Sequence, residues 1–158
     1  MRRAIWGMAI LAATALAPEA RAERLAILPL KLLDTSGEAQ DQTAAHDARL
    51  AALTEGLARD MASQGSETVV ITADQVAAAC PREAPQCLLD LSRESGAERA
   101  LFCSVLKTSS LIMQMFVQVV DVESGQVVQR RDLNFRGDND ESWARAEAFL
   151  VRNLAAGE

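Results

Sequence analysis

A chain of 158 residues, 49% hydrophobic and with a formal net charge of −6, has enough apolar material for one core but not the length for two large ones. Its acidity repels nucleic-acid phosphates and anionic lipid, which sets both aside as partners. With no Tyr and only two Trp, it has no ring platform on which sugars or bases would stack.

Residues 1–22 read as a cleaved secretory signal. Arg2 and Arg3 open the chain, AIWGMAILAATALA is an apolar run from Ala4 to Ala17, Pro18 breaks it, and Ala20 to Ala22 form an A-x-A cleavage site. The run has 14 residues, short of the roughly 20 that a membrane span needs. No Cys follows the cleavage site to carry a lipid. Cleavage leaves a single α/β domain, Glu23 to Glu158, and loss of three arginines and one glutamate takes the net charge from −6 to −8. The expected location is periplasmic or secreted.

The mature chain begins with RLAILPLKLL (Arg24 to Leu33), nearly continuous apolar sequence that predicts a buried first strand, although Pro29 cannot donate to a ladder. A polar loop, Asp34 to Thr43, follows. Leu50, Leu53, Leu57 and Met61 then recur at helical spacing, and Gly65 stops that helix. TVVIT (Thr68 to Thr72) is a short β-branched strand, and Asp74 is placed to cap a short helix. QCLLDLSRESG (Gln86 to Gly96) predicts another helix. Two long strands follow, Arg99 to Lys107 and Leu111 to Val122, with TSS between them. A two-residue turn at Ser124-Gly125 leads into the last strand, Val127 to Phe135. Period two puts Met113, Met115, Val117, Val119 and Asp121 on one face of the second long strand, the face expected to meet helices. A final helix carries Trp143, Ala146, Leu150 and Leu154 on one side. The order β-α-β-α-α-β-β-β-α implies a parallel start with a right-handed crossover, then antiparallel hairpins: an α/β fold with a mixed sheet and helices packed on it.

Three cysteines survive export. In an oxidising compartment CPREAPQC points to a disulfide between Cys80 and Cys87. Cys103, set in an apolar strand, reads as a buried, unreactive thiol. One His is too few for a zinc site of the usual kind, so neither a metal nor a cofactor is expected.

The acidic stretch NFRGDNDESWARAE, with Asp138, Asp140, Glu141 and Glu147, is the most conspicuous local feature. Asp138 and Glu141 have capping-box spacing before an apolar periodic segment, and the helix dipole favours acids there. A calcium loop fails on detail: Trp143 falls where the turn glycine belongs. A paired-carboxylate catalyst needs two acids facing each other across a cleft, and these acids crowd one helix start. His46, early on an amphipathic helix, reads as solvated rather than catalytic. The chain has neither a nucleophile elbow nor a phosphate-binding glycine loop. No catalytic residue is assigned.

The topology places the carboxyl ends of the strands finishing at Leu33, Lys107 and Phe135 on one edge. That edge gathers Asp34, Thr35, Ser36, Lys107, Ser109, Arg136 and Asp138, where open α/β sheets carry their sites. Asp34, Lys107, Arg136 and Asp138 are expected either to pair with one another and tie the loops down, or to recognise a polar ligand or a partner's tail.

Taken together, LPLKLLDTS, RLAALTEGLARDM, SGAERALFCSVLKTSSLIMQM, VDVESGQVV and RRDLNFRGDNDESWARA resemble a family of small secreted bacterial proteins of unknown function, over nearly all of Arg24 to Asn153. The family's recurring residues fall here on Asp34, Thr35, Ser36, Arg49, Leu50, Cys80, Cys87, Gly96, Ala97, Lys107, Ser109, Arg136, Gly137, Asp140, Ser142 and Trp143. The strand–helix order and the V-D-V-x-S-G-x-V-V hairpin are also similar to the amino-terminal α/β domain of TolB and to CsgG-like periplasmic domains. That resemblance implies a non-catalytic adaptor module that binds an envelope protein or a small polar ligand. Gly137, Asp140 and Trp143 would then be structural. An accessory protein or enzyme of periplasmic oxidation chemistry, and a structural homodimer formed through the last strand, are the alternatives. The protein is expected to be a monomer or a homodimer.

Overall fold

The computed structural model describes residues 22–157. The signal expected over residues 1–22 therefore lies, but for Ala22, outside the described residues. The elements are β1 (Arg24–Ile27), β2 (Lys31–Asp34), α1 (Thr43–Ser63), β3 (Glu67–Val70), α2 (Ala73–Ala79), α3 (Pro85–Glu94), β4 (Arg99–Ser109), β5 (Ile112–Asp121), β6 (Val127–Phe135) and α4 (Asp140–Ala155). They form one mixed sheet in the order β3-β1-β4-β5-β6, with β2 also on β4. β1 is parallel to β3 and β4, β2 is parallel to β4, and β4-β5-β6 is an antiparallel meander. The expected α/β class and mixed sheet are present.

The single first strand is corrected to two. Ile27 pairs with Leu101 and Lys31 with Ser104, so β1–β2 holds one residue more than the β4 segment opposite. This is a bulge, and Pro29 sits inside it, where a missing N–H costs no ladder bond. Leu28 bridges the interruption by donating to the Leu101 carbonyl at 3.2 Å.

Alternation along β4 and β5 divides the core. Leu101, Cys103, Val105, Met113, Met115, Val117 and Val119 face α1 and α4, where Leu53, Leu57, Met61, Trp143, Ala146 and Leu150 complete the larger cluster. On the opposite face, Ala100 and Val120 meet Val76 of α2 and Leu89 of α3. The α2 and α3 helices cover only the amino-terminal part of that face, and Phe116 remains partly exposed beyond them. Cys80 and Cys87 are joined, with Cα atoms 5.8 Å apart, and fasten α2 to α3.

Three local expectations change. The short helix is capped by Thr72, in a capping box with Gln75, and Asp74 lies in its first turn. The last helix is capped by Asn139, whose side chain accepts from the Ser142 N–H, so Asp138 is not the cap. The β5–β6 turn is wider than two residues: Asp121 N–H donates to the Gln126 carbonyl, and the Asp121 carboxylate accepts from Ser124.

Candidate functional site: the strand-end edge

The carboxyl ends of β2, β4 and β6 meet at one edge, and the side chains there form one network. Lys107 lies on the core-facing row of β4, directly after Val105, where alternation expects an apolar residue. Its side chain has no exposed surface. The aliphatic stem completes the row and the ammonium emerges at the strand end. There Lys107 Nζ meets Glu38 Oε2 at 2.9 Å, Asp138 Oδ2 at 3.0 Å and Asp34 Oδ2 at 3.4 Å.

Asp138 is the hub. Its side chain is 2% exposed. Oδ1 accepts from Arg49 Nη1 at 2.8 Å and Trp143 Nε1 at 3.1 Å. Oδ2 accepts from His46 Nε2 at 2.7 Å and from Lys107 Nζ. A carboxylate offers about four lone-pair positions, and here four donors occupy them. Burial raises the Asp138 pKa, but the bonds from His46 and Lys107 outweigh it, so the net shift is below the ordinary value. For Lys107 burial favours the neutral amine, yet the Glu38 and Asp138 bonds and the fields of Asp138 and Asp34 hold its pKa above the ordinary value. The Lys107 bond and the Ser110 N–H pull the Glu38 carboxyl down, and the Ser36 bonds, helped by Lys107, pull Asp34 down.

Backbone bonds fix the same loops. Thr35 donates to the Lys107 carbonyl through both N–H and hydroxyl, at 2.8 and 3.0 Å. Ser36 donates to Asp34 Oδ1 through N–H and hydroxyl. Glu38 accepts from Ser110 N–H at 2.8 Å, and Asp138 N–H donates to the Ser110 carbonyl at 2.9 Å. Ser109 takes the turn, its hydroxyl accepting from Leu111 N–H. Gly137, at φ +92°, turns the chain from β6 into α4, and a Cβ there would lie 2.8 Å from Asn139 Nδ2 and 2.9 Å from Ser142 Oγ. Trp143 is buried, edge-on to Phe135 with ring centres 6.0 Å apart. Asp140 carries the network to the surface, accepting from Arg49 Nε at 2.8 Å.

The DUF3280 family model, described as "Protein of unknown function (DUF2380)", matches residues 23–154. The chain belongs to this family. No curated protein matches it. Among solved structures it is similar to the PelC dodecamer of Paraburkholderia phytofirmans, at 12% identity, TM-score 0.54 and 87% of each chain. It is similar to a putative neuraminyllactose-binding hemagglutinin homolog of Helicobacter pylori, at 10% identity, TM-score 0.54, with 84% of this chain and 86% of that one. TolB of Acinetobacter baumannii matches at 14% identity and TM-score 0.51, over 85% of this chain but 28% of TolB. These are likenesses of fold.

In this DUF3280 chain, then, Lys107 pairs with both Asp34 and Asp138. Arg136 does not join them: it is exposed and forms no ion pair among the described residues. Its position explains this. Phe135 is on the core-facing row of β6, so the next side chain points away. His46 is corrected from solvated to buried, at 5% exposure, because it lies on the side of α1 that meets Asp138. Sequence reasoning missed Glu38 entirely and gave Arg49 only as a recurring family residue. Both enter through long-range contacts, and only the i, i+3 spacing of His46 and Arg49 marked one face of α1. Beside the network a cleft of about 450 Å³ opens between β2 and the start of α1, with Asp34, Asp41, His46 and Asp47 in its wall. Among the described residues no group of three or more His, Cys, Asp or Glu is placed to hold a metal ion, and no helix is long and apolar enough to cross a membrane.

Proposed function

We propose that the protein is a non-catalytic binding module of the cell envelope, exported by the signal over residues 1–22, that engages another envelope protein or a small polar ligand through the strand-end edge. The observation that carries this reading is the occupancy of Asp138. A general base needs a free lone pair and a metal ligand needs an open one, and all four positions on this carboxylate are taken. The network spends its charges on holding three loops in a single arrangement. A surface already ordered loses less entropy on binding.

Asp34, Thr35, Ser36, Ser109 and Arg136 form the contact rim, and Lys107 and Asp138 are the frame beneath it. The acidic cleft beside β2 suits a basic side chain or an amine. The Cys80–Cys87 disulfide supports an oxidising compartment.

Photo-crosslinking in the native cell tests this. A photoreactive residue at position 136 or 36 is expected to capture one partner that the same residue at position 74, on exposed α2, does not. Capture patterns that do not differ between the three positions contradict the reading.

A further inference from the structure

β6 ends the sheet on one side, and four features of that edge fit a second copy of the same strand. First, among the described residues the outer backbone bonds to no other strand: β6 pairs with β5 alone, and the one side chain on its outward groups is Arg131, whose Nη1 donates to the Arg130 carbonyl at 2.8 Å and leaves that oxygen a second lone pair. Asp121 N–H points toward β6, to the Gln126 carbonyl, and by alternation Val119, Val117 and Met115 bond the same way. Their partners Gln129, Arg131 and Leu133 thus face inward, and Arg130, Asp132 and Asn134 present N–H and C=O outward. Second, the edge is nine residues long and carries neither Pro nor Lys, residues that commonly blunt such edges, and its one irregularity, the bulge at Val128, leaves Gln129 to Phe135 in regular register. Third, exposed apolar groups flank it: Val127 and Val128 at one end, and Phe149 of α4 beside Leu133 and Phe135. Fourth, its charges are self-complementary about Arg131.

We propose that two copies pair antiparallel through β6 about a two-fold axis at Arg131. This register sets Arg130 opposite Asp132 of the partner copy, and Asp132 opposite Arg130. Both charged pairs join outward-facing residues, so each sits in a hydrogen-bonded cross-strand position. The side chains of Arg130 and Asp132 lie on the sheet face opposite α4 and are already within 3.3 Å of each other along the strand, so neither α4 obstructs the exchange of partners. The two Arg131 side chains lie on the other face. Each donates to the Asn153 carbonyl near the carboxyl end of α4, at 3.0 and 3.3 Å, where the helix dipole offsets its charge. The interface is isologous and closes at two copies.

The test is the mass in solution, by light scattering, of Glu23 to Glu158 and its charge variants from 1 to 200 µM. The wild type is expected to be dimeric at the upper end. Arg130→Asp sets acid against acid twice and is expected to weaken the dimer about tenfold or more. Asp132→Arg sets base against base with the same effect. The double reversal R130D/D132R is expected to restore the dimer, and an equimolar mixture of the two single variants to form a heterodimer. Circular dichroism on each variant separates loss of pairing from loss of fold. A wild type that is monomeric at 200 µM overturns the proposal. So does a dimer that both single reversals leave unchanged, or one that the double reversal fails to restore in folded protein.

Discussion

Replacing Asp138 by Asn tests the network most sharply, because the amide has nearly the same shape and loses only the charge and two lone-pair positions. Each Asp138 oxygen accepts from two donors: Oδ1 from Arg49 and Trp143, Oδ2 from His46 and Lys107. Whichever way the amide sits, its NH₂ faces two donors that have lost their acceptor. One orientation strands Arg49 and Trp143, the other His46 and a fully buried Lys107. Removing one partner of a buried ion pair costs about 3–5 kcal/mol. Lys107 retains Glu38 and Asp34, and Arg49 retains Asp140, which places the expected loss near about 3 kcal/mol. Urea unfolding of the oxidised protein measures it. With a slope of about 1–3 kcal/mol/M for a small domain, the midpoint falls by roughly 1–3 M. A loss below about 1 kcal/mol, the scale of a surface pair, would refute the account of Asp138 as a buried hub.

The remaining expectations concern titration and the disulfide. Asp138 has a folded pKa below its ordinary 3.8, so its contribution is present above that value and is lost as the pH falls through 3.8 and below. Wild-type stability should therefore drop on acidification through this range, and Asp138→Asn should drop less; parallel curves contradict this. Glu147 behaves oppositely: burial against Gly56 and the neighbouring Asp60 raise its pKa above 4.5, and its Oε1 has no partner among the described residues. Stability is lost as the pH rises from 4.5 through the raised value, so Glu147→Gln should stabilise the protein at pH 7 and change little at pH 4. Removing Cys80 and Cys87 together by Ala substitution should cost about 2–3 kcal/mol from the entropy of a short loop, read by thermal unfolding under oxidising conditions. Cys103, its thiol pushed up to about 12 by burial, should react with a thiol reagent only on unfolding.

Local signals made much of the fold readable. Leu53, Leu57 and Met61 repeat at helical spacing and are buried, and the Met113-to-Val119 row alternates as a strand must. The strand-end edge was also readable, because a parallel start followed by a meander fixes which termini meet. Side-chain placement was not. His46 and Asp138 are 92 positions apart, and Arg49 and Asp138 are 89 apart, so nothing local to either marks the contact. Asp138 and Glu141 have the spacing of a cap, but the positive φ at Gly137 shifts the helix start by one residue. Asn139 takes the cap and Asp138 turns inward. Pro29 flagged the interrupted strand without showing that both halves stay on β4.

The central claim is that the locked strand-end edge binds something. The native mass spectrum of the protein isolated from its own cells, beside that of Arg136→Glu, tests it most directly. The account predicts an added mass on the wild type, of small-ligand size or of a protein other than a second copy of this chain, that the Arg136→Glu variant lacks. The polypeptide alone or with only a second copy of itself in both, or an adduct of another kind that Arg136→Glu retains in full, would contradict it.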